Sequence, residues 1–217
     1  MGISLLATVG CASTYGLKPA SKKPEKLNGI AMETAVSPKC VLQAGFQSAN
    51  AEEMLVRVRV TNKSGGAFDL DPTVFSLTAG PEVLKSSPVR AADPENYLKD
   101  LQASTDVLDS RTQMQTYQGI EELGTLKTSG SDREIESARD QYKIQQRDAV
   151  SAQKKAEDLR ARIAAIRSSA LRKTSVKPGE SVEGALIFKA SFVDEGSIAI
   201  ESGHPLCAGT LPFHLEK

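Results

Sequence analysis

The side chains best suited to chemistry in this 217-residue chain are few: Cys11, Cys40 and Cys207, with His204 and His214 as its two histidines. Thiolate and imidazole are the ligand types of structural zinc, and Cys40, Cys207, His204 and His214 would supply four of them. Their spacing argues against such a site. His204-Pro205-Leu206-Cys207 reads as a turn, His214 falls in the last expected strand, and no Cys-x-x-Cys occurs. No metal and no cofactor is expected, with a small-ligand or metal-binding protein as the alternative. Catalysis has no firmer footing. The chain holds no Gly-x-Ser-x-Gly elbow, His-Glu-x-x-His, phosphate-binding loop or Gly-x-Gly-x-x-Gly turn. The adjacent acids Glu52–Glu53 and Glu121–Glu122 read as solvated charge. We expect a protein that is not an enzyme and has no catalytic residues.

The elements that would carry these residues follow from periodicity. Met54, Val56, Val58 and Val60 alternate with Leu55, Arg57, Arg59 and Thr61, the mark of a strand with one face buried. Asn62-Lys63-Ser64-Gly65-Gly66 ends it in a turn. Cys40–Phe46 and Thr73–Thr78 read as further strands, with Asp71-Pro72 at the entry to the second. After Lys177-Pro178-Gly179-Glu180, strand patterns return at Ala185–Phe188, Ser197–Glu201 and Thr210–Glu216.

Between these stretches the period becomes helical. Asp93 and Pro94 suit a helix start, and Tyr97, Leu101, Val107, Leu108, Met114 and Ile120 recur at helical spacing. A second helix, capped by Ser131 or Asp132, runs to about Arg172 without Gly or Pro, about 60 Å at 1.5 Å per residue. Ile135, Tyr142, Ala149, Ala156, Ile163 and Ala170 repeat every seven residues, with Ala138, Gln145, Ala152, Leu159 and Ile166 between them. This stripe predicts a long antiparallel coiled-coil hairpin with the first helix. The first helix has the poorer stripe, since Ser104 and Arg111 take positions that should be apolar. A partner could complete the seam at Tyr142, Ala149, Ala152 and Ala156. Lys154, Lys155, Arg160, Arg162, Arg167, Arg172 and Lys173 make the end of the second helix basic. That pattern suits either the helix dipole or an anionic partner.

Acidic and basic residues balance at 27 each, so the whole chain has no field suited to nucleic acid. Trp is absent and aromatics make up 5%, which disfavours a stacking platform for bases or sugars. Residues 12–38 hold Lys18, Pro19, Lys22, Lys23, Pro24, Lys26, Asn28 and Gly29, a composition expected of a flexible tether.

The N-terminal run Leu5-Leu6-Ala7-Thr8-Val9-Gly10-Cys11 resembles a bacterial lipoprotein signal. The resemblance implies removal of residues 1–10, acylation of Cys11, for example by palmitate, and a membrane anchor through that lipid. Ala12 in place of Asp implies an outer-membrane address facing the periplasm. Export would leave Cys40 and Cys207 as an even pair in an oxidising compartment, hence a disulfide. A second resemblance rests on Leu55–Ser64 with its Asn-x-Ser ending, on Phe75-Ser76-Leu77, and on Lys177-Pro178-Gly179-Glu180 leading into Gly184-Ala185-Leu186-Ile187-Phe188. These segments are similar to the immunoglobulin-like domain of uncharacterised bacterial extracytoplasmic lipoproteins. The expected organisation is a signal at 1–10, a tether at 11–37, an all-β immunoglobulin-like sandwich from 38–92 and 174–217, and a helical hairpin inserted at 93–173. The expected function is that of a non-enzymatic, membrane-anchored envelope lipoprotein, an interaction or spacer module with an envelope protein partner.

Overall fold

The period-two pattern around Val56 places its strand inside a sheet, where both backbone edges are paired and one side-chain face is buried. The computed structural model describes residues 15–50, 52–129 and 132–217. Outside them fall Cys11 with its leader and Ser131, as do the side chains of Ile120, Glu121, Glu122, Ile135 and Ala138. The described residues divide into two compact units, one of those up to 94 together with 169–217 and the other of those between 95 and 168.

The first unit holds twelve strands: β1 Gly16–Pro19, β2 Glu25–Leu27, β3 Ile30–Val36, β4 Cys40–Ala49, β5 Met54–Asn62, β6 Phe68–Leu70, β7 Phe75–Ala79, β8 Val89–Arg90, β9 Thr174–Val176, β10 Ser181–Phe188, β11 Gly196–Ser202 and β12 Gly209–Glu216. They form three sheets, in the orders β1-β12-β11-β7-β8, β10-β5-β4-β3-β2 and β6-β9. Inward residues of both five-stranded sheets share one core. Leu42, Val56, Val58, Val60 and Phe188 come from one sheet, and Phe75, Leu77, Ile200, Leu211 and Phe213 from the other. Burial of each such side chain contributes about 1.5–3 kcal/mol.

The second unit lies within two helices, α1 Pro94–Ser129 and α2 Asp132–Ser169. The fold expected from the sequence is corrected here. In place of one immunoglobulin-like sandwich interrupted by a long antiparallel coiled-coil hairpin, the described residues form three sheets and two helices, and their side chains build no continuous coiled-coil seam. Ala152, Ala156, Ile163 and Ile166 are buried, but Tyr142, Gln145 and Ala149 are only half-buried. Val107 and Met114, from the α1 run, are exposed. The reason is the thinness of the stripe: alanine and glutamine carry too little apolar volume at the interlocking positions to close a seam.

The stretch expected as a tether is also ordered from residue 15. Its Lys and Pro content hides Tyr15, Leu17 and Met32, all buried. β1 pairs with β12 from Gly16↔Glu216 to Pro19↔Phe213, and β2 turns into β3 through Asn28 and Gly29, both at positive φ. Composition averaged over the segment misses side chains that alternate along short strands.

The two motifs of the second resemblance meet in space. Asn62, fully buried, donates through Nδ2 to the carbonyls of Gly66 and Val176, each at 2.8 Å. Its Oδ1 accepts from the Ser64 backbone N–H at 2.8 Å and from the Ser64 hydroxyl at 2.7 Å. Its own main chain accepts from Gly179 N–H and donates to the Glu180 carbonyl. One side chain therefore fastens the end of β5 to the following turn and to β9, while its backbone holds the Pro178-Gly179-Glu180 turn. Gly184 serves a different need, since a Cβ there would lie 2.6 Å from Leu171 Cα and N, main-chain atoms with no room to yield.

Asp71 caps the short 3-10 turn Pro72–Val74, accepting from the Thr73 N–H at 2.9 Å and the Thr73 hydroxyl at 2.7 Å. These bonds, with a lesser contribution from Lys173, hold its carboxyl below the ordinary aspartate range. A depressed folded-state pKa gives stability that is present above the unfolded value and lost as pH falls through the folded one. Asp71→Ala is expected to lower stability at neutral pH by about 0.5–2 kcal/mol. The deficit should shrink below the ordinary aspartate range in urea titrations run against pH. A deficit independent of pH would show that the charge contributes nothing.

Candidate functional site

Polar side-chain contacts join the two helices of the helical unit. Glu95 lies in the first turn of α1 and Arg167 in the last turn of α2, each matched in sign to its end of the helix dipole. Tyr97 and Leu101 of α1 are buried, as are Ala156 and Ile163 of α2. The Arg162 guanidinium donates to the Tyr97 hydroxyl and lies 5.7 Å from the centre of its ring. The Arg160 guanidinium donates to the Asp109 carboxylate. Two cations of the basic cluster are thus engaged within the unit, while Lys154, Lys155 and Arg167 are exposed.

The four residues expected to meet a partner are divided by the structure. Tyr142 and Ala149 line a recess of about 350 Å³ with Thr112, Gln145, Val150 and Gln153. The Tyr142 hydroxyl accepts from Gln146 Nε2 at 3.0 Å, and Gln145 Oε1 has no hydrogen-bond partner. Ala152 and Ala156 are buried, so their small side chains fill the interior of the chain and offer little to another molecule.

Sequence reasoning missed the more prominent surface. Val107, Met114 and Tyr117 of α1 are 66%, 61% and 76% exposed, and Ile144 and Val150 of α2 are 58% and 67% exposed. Seven large apolar side chains are more than half exposed among the described residues, and five of them lie on the helical unit. Val107, Met114 and Tyr117, spaced by seven and three residues, share one side of α1. Ile144 and Val150 stand off the heptad stripe, and that displacement was their signal in the sequence. Large contiguous patches of exposed apolar groups are the surfaces that mark interaction sites.

The cysteine and histidine residues take a structural arrangement. Cys40 begins β4 and Cys207 precedes β12, in different sheets, and both are buried. Their Cα atoms are 5.1 Å apart, which makes them a disulfide-compatible pair. His204 packs its ring on Phe68 with centroids 4.7 Å apart, and its Nδ1 accepts the Leu206 N–H at 3.2 Å. His214 points to solvent from β12, opposite Lys18 and Ser197. Among the described residues no group of three or more His, Cys, Asp or Glu is placed to hold a metal ion. No helix of the described residues is long and apolar enough to cross a membrane. No protein-family model matches the chain, and no curated protein matches it.

Proposed function

We propose that this chain is a non-enzymatic lipoprotein of the bacterial envelope, held to a membrane by lipid on Cys11, and that its helical unit docks an envelope protein partner. The observation that carries the docking reading is the exposure of Val107, Met114, Tyr117, Ile144 and Val150 on one unit. The recess lined by Tyr142 and Ala149 gives that surface relief into which a partner side chain can insert. The anchor rests on the Val9-Gly10-Cys11 signal, and the buried, paired Cys40 and Cys207 suit an oxidising compartment.

Photo-crosslinkable residues at Val107, Tyr117 and Val150 test the reading in intact membranes. Each is expected to trap one discrete partner, whereas the same group at exposed Lys63 or Lys177 in the β unit should trap none. Tyr117→Lys with Val150→Lys should abolish the adduct while leaving the melting temperature within about 2 °C, because exposed positions carry little stability. The Cys11→Ser chain should leave the membrane fraction. Equal trapping at the β-unit controls, or adducts that survive the double lysine variant, would overturn the docking surface.

A further inference from the structure

Methionine is apolar as a thioether and strongly polar as a sulfoxide, so an exposed methionine on an apolar docking surface is a point at which oxidation changes recognition. The described residues hold three methionines. Met32 in β3 and Met54 in β5 are 1% and 0% exposed, whereas Met114 is 61% exposed on α1. It has Val107 seven residues before it and Tyr117 three residues after it, at the centre of the α1 part of the surface. Cys40 and Cys207, the other described sulfur side chains, are buried as a disulfide-compatible pair and do not compete for an oxidant while bonded to each other.

We infer that Met114 is a reversible oxidation site for peroxides, and that its sulfoxide weakens the docking surface. The consequence for docking rests on the function proposed above; the chemistry does not. A lone pair of the thioether sulfur attacks the distal oxygen of hydrogen peroxide or an alkyl hydroperoxide. The S–O bond forms as the O–O bond breaks, the sulfur is oxidised by two electrons, and the departing oxygen takes up a proton as water or alcohol. Reduction by a methionine sulfoxide reductase, with a thiol as electron donor, restores the thioether and releases the oxygen as water. Buried Met32 and Met54 react only through an opening of their sheet, and this difference in access makes Met114 selective.

The full chain, treated with dilute hydrogen peroxide and digested for mass spectrometry, is expected to carry one added oxygen on the Met114 peptide. Met32 and Met54 should react at least about a hundredfold more slowly until the protein is unfolded in guanidinium. Sulfoxide reductase with dithiothreitol should remove the added oxygen. In membranes, crosslinking from Val107 should fall severalfold after peroxide, recover after reductase treatment, and stay at its starting level in Met114→Leu. Equal oxidation of the three methionines in the folded chain would overturn the site, and so would an equal fall in Met114→Leu for its effect on docking. Selective oxidation of Met114 without any crosslink in untreated membranes would leave the site standing and remove the docking surface instead.

Discussion

Replacement of both Cys40 and Cys207 by alanine is expected to lower the unfolding free energy by about 2–5 kcal/mol, the largest loss we anticipate from removing a single link. The pair is 167 residues apart in sequence and its Cα atoms are 5.1 Å apart. A bond between them closes most of the chain into one loop, and the constraint it places on the unfolded state grows with loop length. It also joins β4 of one five-stranded sheet to the segment entering β12 of the other. Urea denaturation of oxidised, dithiothreitol-reduced and doubly substituted protein measures the effect. The reduced form should follow the double variant, because both have lost the same link. Equal midpoints for the oxidised and reduced forms would show that the two thiols are close but unbonded. Thiol titration of the native protein in guanidinium provides the independent check, with two free thiols expected only after reduction when Cys11 is replaced by serine.

Asn62→Ala is expected to cost about 1–3 kcal/mol. The buried amide supplies two donors and two acceptor contacts inside the β unit. Truncation leaves the buried Val176 carbonyl without its amide donor, whereas the Gly66 carbonyl keeps the Ser64 hydroxyl at 2.8 Å and the half-buried Ser64 N–H can turn to water. An unmade buried hydrogen bond costs more than a made one contributes. Asn62→Asp separates the parts of this role: it keeps the acceptor toward Ser64 but replaces the donors with a buried charge facing two carbonyl oxygens. It should destabilise at least as much as alanine at neutral pH and partly recover as the pH falls and the acid becomes a donor. Thermal melts of the three proteins between pH 4 and 7 decide the matter. A neutral Asn62→Ala substitution would mean that the turn and β9 hold without the clamp.

The strands with a regular period were legible because each residue reports its own face. In β5 the buried residues Met54, Val56, Val58 and Val60 are the alternate set read from the sequence, while Asn62, read as the start of the turn, is a further buried position of the strand. The helix starts were similarly accessible, since Pro94 fits only a first turn, whereas the second helix ends at Ser169, short of the expected Arg172. β1, β2 and β3 were not legible. Their buried residues are few; β1 is held by β12, a segment remote in sequence, while β2 and β3 pair with each other and β3 with the neighbouring β4. A window that averages composition cannot register a partner that lies elsewhere in the chain.

The candidate site divides along the same line. Sequence alone determined that the helices carry an apolar and alanine-rich stripe, that the thiols form an even pair once Cys11 is set aside, and that Asn-x-Ser and Pro-Gly-Glu mark strand ends. Only the tertiary structure decided which apolar side chains are spent inside and which remain outside. Ala152 and Ala156 are covered, whereas Val107, Met114, Tyr117, Ile144 and Val150 remain in water. The sequence lists the groups that could be buried, but burial is a property of pairs of surfaces. Which groups find a surface depends on the register and depth with which the two helices meet. The same reason governs Asn62: its type and its turn were visible, while the two carbonyls that make it a clamp are fixed by the path of the chain through Gly66 and Val176.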